Sequence, residues 1–359
     1  MGSWRLILAW MVIAVHTQGY SDLSSIRLGD VAVSTFFFVS GFLMPLAYTS
    51  HYQQYGFREG IRKFYVNRFL RIFPLYWLSC LLLLGMTWGG YLLHADEGRV
   101  VNPALNSFST YLHNFLLLGL NQSVFWGEYY RFNNPAWTLD IELQYYLLVP
   151  FLIFSDYLNR HVTRTILLVV AFLSLYLFFS PTKLVDIDRS ILAWSIFFIS
   201  GYLFYESKIL QKFFIKRSSV IFYALTLFLL AGSVNIKKLT TMLIILGFIV
   251  ISSHLLIMQK NYKFSNLDKV AGDLSYPVYI LHFVFLGVTL KFLKLPVING
   301  LGPIPQFVIG FLINIIITSL IAYIALRLVV DPIDKIREEV RGFRQNKLTN
   351  NNMKLAQRL

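Results

Sequence analysis

QFVIGFLINIIITSLIAYIALRLVV, Gln306–Val330, carries a single charge in twenty-five residues, Arg327 near its end. A helix rises about 1.5 Å per residue, so roughly 20 apolar residues cross a hydrocarbon layer about 30 Å thick. The stretch is long enough and apolar enough to do so. Similar runs recur upstream at Trp4–Tyr20, Asp30–Thr49, Arg68–Trp88, Thr138–Phe154 and Arg164–Ser180, then at Ser190–Tyr205, Ser219–Ser233, Leu239–Met258 and Leu274–Leu293. The fold class that follows is all-α, a polytopic membrane bundle of about ten transmembrane helices. Tyr111–Leu120 is half the needed length and lies in a long polar segment, 89–135, so it is read as an interfacial or re-entrant piece.

Composition agrees. Hydrophobic residues make up 56% of the 359 and charged residues only 14%, against about 25% in soluble domains; the mean hydropathy is +0.59. The net charge of +14 would suggest nucleic acid in a soluble chain, but here the basic residues cluster in short loops between apolar runs, which is the positive-inside pattern. Nucleic acid is therefore not an expected partner. Cys80 is the lone cysteine and lies within an apolar run, excluding an intramolecular disulfide. No Cys/His cluster has metal-ligand spacing and no Gly-rich phosphate loop appears, so no metal site is expected.

Loop charge sets the orientation. Arg58, Arg62, Lys63, Arg68 and Arg71 in the segment 50–71, Lys208 to Arg217, and Lys260, Lys263 and Lys269 fall on one side of a ten-span bundle, as does the basic tail. That side is cytoplasmic by the positive-inside rule, placing both termini inside. Lys237, Lys238, Lys291 and Lys294 fall on the other side, against the trend. The first run begins like a signal peptide but lacks a small-residue cleavage site and contains His16, so it is read as a mature helix.

Ionisable groups inside a bilayer cost on the order of 3 kcal/mol or more and invite a functional explanation. Arg5 and His16 are eleven residues apart, close to three turns, so they share a helix face about 16 Å apart in depth. An imidazole there can take a proton from an attacking alcohol, or can simply be a packed histidine. Arg68 and Arg71, at i and i+3 ahead of Pro74, form a guanidinium pair suited to phosphate or to charge anchoring at a helix end. Trp137, Asp140 and Glu142 open another span, where the carboxylates cap a helix N-terminus, orient His16 or hold a hydroxyl. Tyr279 and His282 share a face near the cytoplasmic end of a later span. Phe36–Phe42, with Ser40 and Gly41 amid aromatics, is read as helix packing.

The order and spacing of these segments resemble the membrane acyltransferase-3 family, multi-span O-acyltransferases of bacterial surface glycans. Arg5 to His16 resembles its first-helix Arg-x10-His, Phe37–Gly41 its Phe-Phe-x-x-Ser-Gly, and Arg68–Tyr76 its Arg-x-x-Arg-Ile-x-Pro-x-Tyr. Trp137–Glu142 resembles Trp-Ser-Leu-x-x-Glu with Thr138 in place of serine, and Ser275–His282 resembles Ser-Tyr-Pro-x-Tyr-x-x-His. Asp331-Pro332 resembles a closing Glu-Pro. The polar segment that precedes the arginine in the family is reduced to Met1–Trp4 here, so the native start lies upstream or the segment is dispensable. The chain also ends before the esterase-like domain that some members carry.

The resemblance implies a transmembrane acyltransferase domain over 1–332, followed by a basic cytoplasmic tail, 333–359, without fixed structure. It implies transfer of an acyl group, acetyl first, from acyl-coenzyme A as donor substrate to a hydroxyl of an exported glycan or lipid-linked saccharide, in a bacterial inner membrane. His16 and Glu142 would be catalytic, Arg5, Arg68, Arg71, Tyr279 and His282 would bind the donor, and Trp137 and Asp140 the acceptor. The polar segment 89–135, with Trp126, Glu128, Tyr129, Tyr130 and Arg131, suits carbohydrate or an interfacial aromatic belt. A transporter or flippase of a lipid-linked glycan would share the spans and buried charges, but predicts two related halves, and residues 1–155 and 156–330 show no such likeness.

Overall fold

The computed structural model describes residues 1–18, 28–93, 107–117, 131–179, 190–233, 236–261 and 265–342. Among these residues every regular element is helical. The first four are α1 (Gly2–Gln18), α2 (Leu28–His51), α3 (Phe57–Leu93) and the short α4 (Phe108–Leu116). The next five are α5 (Trp137–Leu158), α6 (Arg160–Phe179), α7 (Ile191–Glu206), α8 (Lys208–Phe213) and α9 (Arg217–Ser233). Then follow α10 (Lys237–Asn261), α11 (Asn266–Leu293), α12 (Pro296–Asn299), α13 (Pro303–Ala325) and α14 (Asp331–Val340). Each of the ten apolar runs overlaps one of these helices over its described residues. Among the described residues seven helices are long and apolar enough to cross a membrane; α1, α7 and α9 are shorter, at 17, 16 and 17 residues. Residues 126–130, Lys263 and 343–359 lie outside the described residues.

Two boundaries differ from the sequence reading. The basic segment before Arg68 is not a loop: α3 starts at Phe57, where Glu59 accepts from Arg62 at 2.8 Å and lies 3.9 Å from Lys63, the i,i+3 and i,i+4 pairings that favour helix. The tail expected to lack order from residue 333 instead begins as α14. Pro332 stands in its first turn with Asp331 and Asp334, where proline and acidic groups suit a helix start. Its C-terminal carbonyls are taken by α3 and the turn before it: Asn67 Nδ2 donates to Arg337 O, Lys63 Nζ to Val340 O, and Tyr55 OH to Arg341 O. Between α13 and α14 the chain makes a π turn, Leu326–Val330.

Two helix pairs form the centre of the bundle. α2 crosses α7 at glycine: a Cβ on Gly41 would collide with the Phe198 carbonyl and one on Gly201 with that of Phe38. The backbones touch there, while Phe37 stacks on Phe198 at 4.5 Å between centroids. The sequence reading of Phe36–Phe42 as a packing surface holds for Phe37 and Gly41. α1 packs along α11, burying Leu8, Ala9 and Ile13 against Val278, Ile280 and Leu281.

α5 begins inside the protein. Its lead-in, the 3₁₀ turn Asn134–Ala136, is held by Asn133 Nδ2 donating to Ser79 Oγ and Ile280 O, both at 2.9 Å, and by Tyr279 OH donating to Pro135 O at 2.9 Å. Non-helical backbone is tolerated at such depth only when protein groups satisfy it. α4, at nine residues, is too short to span and docks on α3, with Tyr76 OH and Trp77 Nε1 donating to the Asn114 and Phe115 carbonyls.

Candidate active site

Helices α1, α2, α3, α5, α11 and α14 enclose a cavity of about 1370 Å³. Its wall carries eight cations: Arg5, Arg68 and Arg71 from α1 and α3, Lys269 from the start of α11, Arg327 from the π turn, and Lys335, Arg337 and Arg341 on or just after α14. Five carboxylates face them, Glu142, Asp273, Asp331, Asp334 and Glu338. Two are already engaged, Asp331 with Arg327 at 2.9 Å and Asp334 with Arg337. The cavity is cationic at its basic end. Its lining also includes Phe36, Thr138, Leu139 and Tyr279, the last about 20 Å along α11 from that helix's first residue.

Local structure fixes each charged group. Arg5 reaches α11, Nη2 donating to Ser275 Oγ at 3.0 Å and Gly272 O at 3.2 Å. Arg71 lies over the Tyr276 ring, 5.9 Å from its centroid. Tyr276 is itself anchored by donating to Ile72 O at 2.7 Å. Arg68 is 8% exposed and donates to Asn67 Oδ1 at 2.9 Å. Glu142 Oε1 accepts from Ser40 Oγ at 2.7 Å and Tyr146 OH at 2.5 Å, so two helices aim one carboxylate into the cavity. Among the described residues no carboxylate lies within 4 Å of the guanidinium of Arg5, Arg68 or Arg71.

From Phe36 and Tyr279 the rings form a series. Centroid separations are 6.1 Å from Phe36 to Tyr279, 6.0 Å from Tyr279 to His282, and 5.2 Å from His282 to His16. Arg5 and His16 both face α11, as their spacing on α1 requires, one against Ser275 and the other against His282 and Phe283. His282 is fully buried, and its Nδ1 lies 2.5 Å from Tyr279 O. A carbonyl only accepts, so Nδ1 carries the hydrogen, and when the ring is neutral Nε2 presents a lone pair. Among the described residues no protein atom pairs with that Nε2.

Of the residues singled out in the sequence, Arg5, Arg68, Arg71, Glu142 and Tyr279 converge on the cavity. His16, His282, Trp137 and Asp140 do not line it. Trp137 is half-buried against Trp194, at 5.4 Å, and Asp140 is fully buried and accepts from Gln144 Nε2 at 3.0 Å. Residues the sequence reading missed are Ser40, Tyr146, Asn67, Arg337 and Arg341. Ser40 reads as part of a packing surface in the sequence, and only its bond to Glu142 on α5 reveals its role.

The profile of a family described as an acyltransferase domain matches residues 3–323. The chain belongs to the acyltransferase-3 family. The match takes in Arg5, His16, both α3 arginines, Glu142, Tyr279 and His282, and ends before α14. One curated relative, an uncharacterized protein of Haemophilus influenzae, is 29% identical over 125 residues, covering 34% of this acyltransferase-3 chain. The chain spans about half of that relative's length, 48%. No solved structure matches.

Proposed function

We propose that this chain transfers an acyl group, acetyl first, from acyl-coenzyme A to a hydroxyl of an exported or lipid-linked glycan. The observation that carries the reading is a cavity that joins a cationic mouth to the Glu142 carboxylate and an aromatic partition, with a histidine pair just beyond. A nucleotide thioester is anionic at one end and reactive at the other, and the two ends of the cavity match that polarity. The bundle lies in a bacterial inner membrane with ten spans and its basic face in the cytoplasm.

The donor phosphates rest among Arg5, Arg68 and Arg71, whose guanidiniums lack carboxylate partners. The pantetheine arm passes the partition of Phe36 and Tyr279. His16 takes the proton of the acceptor hydroxyl as its oxygen attacks the thioester carbonyl. The C–O bond forms, the C–S bond breaks, and the proton returns to the departing thiolate. His282, whose free lone pair can accept the His16 N–H, holds that imidazole in position. Glu142 orients the reacting groups from the cavity side, with Trp137 and Asp140 shaping the path of the acceptor.

The test uses protein reconstituted in nanodiscs with radiolabelled acetyl-coenzyme A, following thioester loss with and without candidate glycans. Wild-type turnover that vanishes in His16→Ala while membrane insertion persists supports the reading. Retained turnover in that variant overturns the assignment of the base. No turnover with any acyl thioester overturns the reaction class.

A further inference from the structure

One arrangement in the cavity wall gathers two cations that the acyl-transfer reading leaves unused, Arg337 and Arg341, beside Arg68. Asn67 is fully buried, and its single Oδ1 accepts from three different guanidiniums: Arg68 Nη2 at 2.9 Å, Arg341 Nη2 at 3.3 Å, and Arg337 Nη2 and Nε at 3.4 Å. All three cations therefore lie within two hydrogen-bond lengths of one another, around a neutral oxygen. Arg68 and Arg337 are 8% and 6% exposed, and all three line the cavity. The Nε atoms of Arg68 and Arg341 are buried without any partner. Asp334 pairs with Arg337. Glu338 and Lys335 sit exposed at the mouth. Two buried cations and a half-buried third, with one ion pair among them, leave an excess of positive charge at a largely desolvated place among the described residues.

We infer that Arg68, Arg337 and Arg341, gathered on Asn67, form a subsite for a phosphomonoester dianion. Guanidiniums pair with phosphate oxygens in a fork, and a dianion with three acceptor oxygens matches three such donors. A phosphodiester, with one charge and fewer free oxygens, matches less well. Two of the three arginines, Arg337 on α14 and Arg341 just after it, lie beyond the matched family segment. The inference rests on the acyl-coenzyme A reading for its choice of source: the terminal 3′-phosphate of the donor, rather than the phosphomonoester headgroup of a lipid. The cationic mouth would then select donors carrying that phosphate, while Arg5 and Arg71 hold the pyrophosphate.

The experiment measures binding to the full-length chain in zwitterionic nanodiscs, comparing adenosine 3′,5′-bisphosphate with adenosine 5′-monophosphate, ligands that differ by one phosphomonoester. The bisphosphate is expected to bind at least about tenfold tighter. That ratio is expected to collapse towards one in Arg337→Gln and in Arg341→Gln. The second variant removes a half-buried cation at smaller packing cost, and the wild-type ratio requires no variant at all. A parallel arm dopes the nanodiscs with phosphatidic acid. Discrimination seen only as competition by that lipid keeps the phosphomonoester subsite but moves its source to the membrane. Equal affinity for both nucleotides, with no effect of the lipid, overturns the inference. Turnover of acetyl-coenzyme A is scored separately: normal turnover without phosphate discrimination removes the subsite and leaves the enzyme reading intact. Discrimination without turnover does the reverse.

Discussion

Glu142 is held by two donors on one oxygen, and that geometry gives a sharp prediction. Ser40 on α2 and Tyr146, one turn further along α5, both donate to Oε1, at 2.7 and 2.5 Å. A hydrogen bond to a charged acceptor contributes about 1.5–3 kcal/mol. Glu142 borders a cavity of about 1370 Å³, so water replaces part of a single lost bond. Ser40→Ala or Tyr146→Phe alone is therefore expected to cost about 1 kcal/mol, near fivefold in the rate of thioester turnover. Removing both frees the carboxylate to turn towards the cations opposite. The double variant is expected to lose more than the product of the singles, with a coupling of about 1 kcal/mol. The assay is single-turnover loss of acetyl-coenzyme A in nanodiscs, with thermal stability measured on each variant. In a Glu142→Ala background both substitutions are expected to be silent. Simple additivity within about 0.5 kcal/mol, or equal effects with and without Glu142, would refute the claim that these two groups act through the carboxylate.

Arg5→Gln and Arg71→Gln are expected to raise KM for the donor about tenfold or more each with a smaller change in kcat, since they face phosphate and not the reacting carbon; a fall confined to kcat argues against that placement. Donor KM is also expected to rise steeply between 50 and 300 mM salt because the mouth is cationic, and a flat salt profile counts against electrostatic capture. Gly41→Leu is expected to lower the melting temperature by several degrees through backbone-to-side-chain collision at the α2–α7 crossing, whereas the same change at exposed Gly85, which has open space around it, is expected to be tolerated. His282→Phe keeps the ring and removes the Nε2 lone pair; it is expected to lower kcat about tenfold with the donor KM unchanged, and an unaltered kcat removes His282 as a positioning residue.

Much of this was readable from residue spacing. Helical periodicity alone puts Arg5 and His16 on one face, and the structure finds both turned towards α11. Apolar run length located the helices because a bilayer demands a minimum span. What periodicity does not carry is which helix faces which. Ser40 looked like one more small residue beside Gly41. It becomes a ligand of Glu142 because Gly41 takes the contact with α7, and Ser40, about 100° around the helix, faces α5. His282 was expected among the donor-binding groups, but the inward dip of the chain at Asn133–Ala136 places Tyr279 between it and the cavity. The α14 arginines were hidden for a compositional reason: a basic, Asn-rich tail following the last span reads as disorder until Asn67, Lys63 and Tyr55 are seen capping its helix.

The π turn at Leu326–Val330 has a consequence for how this protein can vary in length. Such a turn takes in one residue more than an α-helical turn, and each residue advances a helix by about 100°. The phase of α14 relative to α13 is therefore set by residue count. Arg337 and Arg341, four apart, look towards Asn67 because that count is what it is. Deleting a single residue between Ala325 and Asp331 would leave every side chain of the cluster in the sequence yet swing both arginines off the cavity. The linker is thus a phase-setting joint, in which substitutions are tolerated far more readily than insertions or deletions.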